Sequence, residues 1–213
     1  MTFSPAKTKV KICGITSIED GQAAVAAGAD AIGLVFYPPS SRYVTPSLAA
    51  EIIASLGPFV TTVGLFVNED AAAVKQTIAL SGLHLLQFHG DESPQYCQQF
   101  DRPYIKALRM SPDLDPLQAV ANFPGACGYL FDAWQPDKFG GTGKTFDWQR
   151  IVGLASHNLI LAGGLNPDNV EAAIQAVHPY AVDVSGGVEF KPGKKDHRAL
   201  KAFINRAKHG KSL

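Results

Sequence analysis

The feature that most limits what this chain can fold into is a rhythm: short β-rich apolar runs alternate with stretches of helical composition through all 213 residues, most of them separated by Gly, Pro, Asn or Asp. Eight runs have strand character, at 9–15 (KVKICGI), 31–36 (AIGLVF), 61–67 (TTVGLFV), 85–89 (LLQFH), 104–108 (YIKAL), 129–133 (YLFDA), 159–162 (LILA) and 181–185 (AVDVS). Near-continuous apolarity suits strands covered on both faces, the condition of a parallel sheet flanked by helices. Helices are expected between them, at 18–27, 46–56, 71–80, 94–100, 114–122, 148–155, 167–177 and 196–208. Thr45-Pro46 and Asn166-Pro167 each join a capping side chain to a proline that needs no amide partner in the first turn. In the last segment Leu200, Phe203, Ile204 and Ala207 form an apolar stripe at helical spacing, and the basic residues around it read as a solvated face. Eight βα units without a long linker predict an α/β fold, a single-domain (β/α)8 TIM barrel over 1–213, with an open flavodoxin-like sheet as the alternative.

Composition narrows the partners. Lys plus Arg equals Asp plus Glu at 19 each, so no broad field favours nucleic acid or an anionic membrane, and a small molecule is the expected ligand. Cys13, Cys97 and Cys127 are scattered, without the spacing of a metal site or a disulfide framework, which suits a reducing compartment. No secretory signal and no apolar run near the roughly 20 residues of a membrane span is visible, so a cytoplasmic protein is expected. Nothing fixes the oligomeric state; a monomer is the expectation.

In such barrels the groups that act on substrate project from the C-terminal ends of strands and the loops that follow. That filter selects Cys13, Arg42 in YPPSSRYV, His89 in QFHG, Asp132 in LFDAW, the glycines Gly163 and Gly164 of LAGGLN, and the run from Asp183 through Gly186 and Gly187 to Glu189. A lone cysteine is ordinarily a small buried hydrophobe, a strand-end Asp often caps the next turn, and an arginine in a Ser/Pro-rich loop is ordinarily on the surface. The glycine pairs allow backbone to approach an anion, and two pairs after the last two strands are a stronger signal than one. Asp183 has two readings, ordering ligand hydroxyls or anchoring a loop, and His89 is either a participant or a satisfied pocket histidine.

Taken in order, KICGIT, GLVFYPPSSRYV, VGLFVN, LQFHGDE, FDA followed by GGTGKTFDW, LAGGLNPDNV and VDVSGGVE resemble the successive signatures of the phosphoribosylanthranilate isomerase family, from Lys9 to about Pro192. The resemblance implies an Amadori-type rearrangement by general acid–base chemistry, with no redox or metal cofactor. It implies Cys13 as general base, Asp132 as general acid and Arg42 as partner of the anthranilate carboxylate. In a phosphosugar barrel the anion expected at Gly163, Gly164, Gly186 and Gly187 is the substrate phosphate. A base at Cys13 calls for surroundings that lower a thiol pKa, and the apolar run around Asp132 for some desolvation of its carboxyl.

GGTGKT at 140–145 invites a nucleotide-binding reading, but the position five before Gly143 is Lys138 where a P-loop requires Gly. A mobile cover over a sugar is the better expectation for that loop. Indole-glycerol-phosphate synthase would call for catalytic lysines, and ribulose-phosphate epimerase for paired aspartates with metal-binding histidines; neither pattern is laid out at these strand ends. A non-catalytic phosphosugar sensor would need neither Cys13 nor Asp132.

Overall fold

The computed structural model describes residues 8–134, 145–154 and 158–209. Within them eight parallel strands close into a barrel in chain order, and β1 pairs with both β2 and β8. They are β1 (Lys9–Cys13), β2 (Ala31–Val35), β3 (Thr61–Phe66), β4 (Leu85–Phe88), β5 (Tyr104–Met110), β6 (Gly128–Ala133), β7 (Leu159–Leu161) and β8 (Ala181–Val184). All eight expected strands are present, most ending one or two residues earlier than their apolar runs. The open-sheet alternative fails on the β1–β8 ladder, where Lys11 lies beside Asp183 and Ile12 beside Val184.

Side chains alternate across each strand, and the barrel turns that alternation into two cores. Ile105, Ala107, Leu130, Ile160, Ala162 and Ala181 fill the interior, and Cys13, Val35, Leu65 and Val67 form a second interior cluster. The intervening residues, such as Ile12, Leu34, Phe66, Phe88, Phe131 and Val182, belong to the larger core beneath the helices. Aromatic rings dominate one sector of it: Phe66 lies 5.2 Å from Phe36, and Phe88 lies between 5.5 and 5.8 Å from Tyr96, Phe100 and Tyr104.

The surrounding helices are α1 (Ile18–Ala26), α2 (Pro46–Ala54), α3 (Ala71–Ser81), α4 (Pro94–Cys97), α5 (Pro116–Ala121), α6 (Val170–Val177) and α7 (His197–His209). Thr45 caps α2 as expected, its hydroxyl accepting from the Leu48 amide at 3.2 Å. The expected helix at 148–155 is instead a short 3-10 turn, Trp148–Ile151. The helix expected from Pro167 starts at Val170, because Asn166 and Asn169 spend their side chains on the intervening turn: Asn166 Oδ1 accepts from Asp168 and Asn169, and Asn169 Oδ1 accepts from Asn166. A hairpin of β9 (Glu189–Lys191) and β10 (Lys194–Lys195) was not anticipated. Most of GGTGKT lies outside the described residues. No helix among those described is long and apolar enough to cross a membrane.

Because Phe88 is fully buried among the rings of Phe66, Tyr96, Phe100 and Tyr104, Phe88→Ala is expected to destabilise the fold by about 3–5 kcal/mol. Urea unfolding should show a lower midpoint with an unchanged slope. A loss under about 1 kcal/mol would mean that the aromatic sector is not the anchor of this side of the barrel.

Candidate active site

Sequence alternation puts Lys11 and Cys13, two residues apart on β1, on the same inner face. Lys11 Nζ is 2.9 Å from Asp183 Oδ1 on neighbouring β8, with both side chains buried. Its charge also acts on the Cys13 thiol. Gly33 on β2 leaves room for them: a Cβ there would stand 2.8 Å from Cys13 Sγ and 3.1 Å from Lys11 Nζ. The thiol and the ammonium thus share the space that a side chain at Gly33 would take.

The thiol is 6% exposed and packs with Val35, Leu65, Val67 and Tyr37. Burial pushes its pKa up and the Asp183 charge adds to this, while Lys11 and Lys195 pull the other way without prevailing. The expectation of a thiol with a lowered pKa is therefore corrected for the free protein. The physical reason is burial, which outweighs the two nearby cations, with Asp183 adding to it. Burial works against the Lys11 ammonium, but Asp183 and Cys13 outweigh it and its pKa is raised.

Lys195 reaches the site from the hairpin. Its fully buried Nζ donates to Cys13 O at 2.6 Å and to Glu189 Oε1 at 2.8 Å, and burial holds its pKa below the ordinary lysine range. Asp20 of α1 secures this segment by accepting from the Lys195 amide at 3.2 Å and facing His197 Nε2 at 2.8 Å.

Glu189 also holds Arg42, with Nε–Oε1 at 2.9 Å and Nη2–Oε2 at 2.7 Å. Burial opposes ionisation of Glu189, but Arg42 and Lys195 prevail and keep its pKa low. The arginine assigned to a ligand carboxylate thus already has one edge of its fork on a protein carboxylate. Its stem passes the strand-one turn: a Cβ on Gly14, at φ +74°, would lie 2.5 Å from Arg42 Cδ.

Asp132 closes β6 inside the barrel, 6% exposed, with Oδ1 accepting from the Ala133 amide at 2.8 Å and Oδ2 3.2 Å from His89 Nε2. Gln87 Nε2 lies 3.0 Å from His89 Nδ1, so the histidine is held from both sides. Gly163, at φ +82°, abuts the same carboxylate, since a Cβ there would stand 3.1 Å from Asp132 Oδ1. Gly164 also has a positive φ, +62°. A Cβ on Gly187 would collide with Leu165 O, and one on Gly186 would lie 3.3 Å from Arg42 Nη2. The glycine pairs therefore bring the loops after β7 and β8 against each other and against Asp132 and Arg42. Ser185 Oγ beside them is buried with no hydrogen-bond partner among the described residues.

Two cysteines stand apart from the site. Cys97 is buried and pushed up to about 12, foremost by burial, whereas Cys127, expected to be a buried hydrophobe, is exposed, with its thiol 3.2 Å from Tyr104 O. Among the groups the motif search passed over, Lys11 and Gln87 each lie two residues before a selected side chain, so strand periodicity pointed to them. Lys195 carried no local signal, because only the hairpin returns it to β1.

The comparisons with known proteins agree over nearly the whole chain. The family model described as "N-(5'phosphoribosyl)anthranilate (PRA) isomerase" matches residues 10–206. The N-(5'-phosphoribosyl)anthranilate isomerase of Cellvibrio japonicus is 54% identical over 195 residues, 92% of this chain and 91% of that protein. The crystal structure of phosphoribosyl anthranilate isomerase from Thermotoga maritima is 43% identical with a TM-score of 0.87, covering 94% of this chain and 98% of that one. A phosphoribosyl anthranilate isomerase in complex with reduced 1-(o-carboxyphenylamino)-1-deoxyribulose 5-phosphate is 41% identical with a TM-score of 0.84, over the same shares of the two chains.

In a Cys97→Ala, Cys127→Ser background Cys13 is the one thiol left for iodoacetamide to report. The expected alkylation profile has an apparent pKa above that of an ordinary thiol. Lys11→Met should move it further up, because a cation that favours thiolate is lost. At a fixed pH below the midpoint the rate should then fall about tenfold per unit of displacement. An ordinary or depressed pKa in the free protein would contradict this electrostatic account.

Proposed function

The chain belongs to the N-(5'-phosphoribosyl)anthranilate isomerase family, and from that premise we propose how its own residues carry the chemistry. The reaction is the Amadori rearrangement of N-(5'-phosphoribosyl)anthranilate to 1-(2-carboxyphenylamino)-1-deoxyribulose 5-phosphate in tryptophan biosynthesis. It moves protons and electron pairs within one molecule, so an acid and a base placed on the sugar complete it.

Asp132 is the acid. Its proton goes to the ribose ring oxygen as the C1′–O bond breaks towards that oxygen, and the anilino nitrogen's lone pair forms the C=N bond. Cys13 is the base. Its thiolate takes the C2′ proton, the electrons left behind form C1′=C2′ as the C=N π pair returns to nitrogen, and the resulting enolamine tautomerises to the ketone. The high thiol pKa fits this order of events. It makes thiolate scarce before ring opening but strongly basic once formed, and the iminium charge acidifies C2′–H at the moment the base is needed.

Arg42 meets the anthranilate carboxylate through its Nη1/Nη2 edge, the Nε/Nη2 edge being held by Glu189. The aryl ring rests on Val35, Leu65, Val67 and Tyr37, the apolar surface around Cys13. The turns at Gly163, Gly164, Gly186 and Gly187 approach the phosphate, with the Ser185 hydroxyl beside them. Lys11 holds one oxygen of Asp183, leaving the other to the ribose hydroxyls. The whole chain acts as one barrel domain. The observation that carries this reading is that Cys13 and Asp132, from strands far apart in the sequence, both end on the inner face at the same mouth of one barrel.

The test follows the loss of anthranilate fluorescence with phosphoribosylanthranilate as substrate. Cys13→Ala should lower kcat by roughly 10²–10⁴ while substrate still binds. In Asp132→Asn only thiolate formation is left to titrate. Its small residual rate should therefore rise with pH, about tenfold per unit, up to the raised Cys13 pKa and then level without an alkaline fall. Full activity in Cys13→Ala, or wild-type turnover with an unchanged profile in Asp132→Asn, would remove the corresponding residue from the mechanism.

A further inference from the structure

We infer that Gln87 is a positioning residue that fixes the protonation of the His89 ring, and so keeps the proton of the acid on Asp132. The inference rests on the assignment of Asp132 as the acid. Gln87 is fully buried on the inner face of β4, level with Leu65 of β3 and Ile105 of β5. A primary amide among aliphatic neighbours is an unfavourable choice for packing alone. It has one hydrogen-bond partner, His89 Nδ1 at 3.0 Å, and its Oε1 has none among the described residues.

The chemistry of that contact decides the ring. An amide nitrogen only donates, so Nδ1 accepts with its lone pair and the ring proton sits on Nε2. Nε2 faces Asp132 Oδ2 at 3.2 Å and donates to it. A ring nitrogen that already carries a proton cannot take one from Asp132. When Asp132 passes its proton to the ribose ring oxygen, negative charge appears on a carboxylate that already has the Nε2–H donor aimed at it.

Turned over, the Gln87 amide would offer Oε1 to an Nδ1–H. Nε2 would then present a lone pair to Asp132 and compete with substrate for the acid's proton. That arrangement would exchange the unpaired Oε1 for a second unpaired N–H on the same amide, and an orphaned buried N–H is the rarer defect, which disfavours it.

The test is the 15N spectrum of histidine-labelled protein, with His89 assigned from the signals lost in His89→Asn. In the wild-type protein the expected form is neutral, with Nε2 protonated and Nδ1 bare. Gln87→Glu puts an acceptor against Nδ1, so Nδ1 should become protonated, and kcat should fall by roughly 10- to 100-fold, the range for partners that orient a reacting group. KM should stay within about twofold, since Gln87 is not placed on substrate. Gln87→Met, similar in volume and without a donor, should give a mixture of ring forms and a smaller loss of kcat. A protonated Nδ1 in the wild-type protein would overturn the inference without any variant having to fold. So would wild-type kcat in Gln87→Glu once its ring form has changed. Neither spectrum depends on what Asp132 does in catalysis, so failure here is distinguishable from failure of the acid assignment, which the Asp132→Asn profile reads.

Discussion

The pairing of β1 with β8 closes the barrel, and the site depends on it more than on any other contact. It sets Lys11 beside Asp183 on the inner face, and with them Cys13 two residues further along the strand. An open sheet would leave β1 and β8 as distant edges, with a thiol and an ammonium on one and a carboxylate on the other. Closure turns three polar side chains that no apolar core would choose into one electrostatically coupled group, and Gly33 on β2 supplies the room.

Two buried ion pairs then divide the electrostatic labour. Lys11 with Asp183 lies beside the thiol, while Lys195 with Glu189 ties the carbonyl of Cys13 to the guanidinium of Arg42. Removing one member of such a pair strands a buried charge and is expected to cost about 3–5 kcal/mol, so truncation there disturbs stability and chemistry together. Two lysines near Cys13 do not make it acidic because burial outweighs them and Asp183 adds to the burial. Across the barrel Asp132 is held differently, by a backbone amide and an imidazole, neither of which brings a full positive charge when the ring is neutral. Base and acid thus sit in contrasting surroundings, as a reaction that needs one to accept and the other to give a proton requires.

Much of this was legible before any coordinates. The eight apolar runs gave the strands, because a strand covered on both faces must be apolar throughout, and the rule that barrels work at their strand ends pointed to Cys13, Arg42, His89 and Asp132. What stayed hidden was what two distant segments do to each other. Glu189 closed a motif without any sign that it would hold Arg42, and Lys195 lay just ahead of the last helical segment with no motif around it. The state of the thiol was misjudged for the same reason: its neighbours Val35, Leu65 and Val67 come from two other strands, and their desolvation leaves no mark on KICGIT. Helix boundaries slipped where side chains competed with the backbone, as Asn166 and Asn169 do ahead of α6.

The central claim is a division of labour in which Asp132 opens the sugar ring and Cys13 then removes the C2′ proton. Trapping the open-chain Schiff base with cyanoborohydride, and measuring the reduced anilino alditol phosphate by mass spectrometry, separates the two steps directly. Cys13→Ala should still open the ring and yield more trapped adduct than wild type, because the intermediate has no way forward, whereas Asp132→Asn should yield almost none. Equal trapping in both variants, or trapping in Asp132→Asn and none in Cys13→Ala, would contradict the assignment.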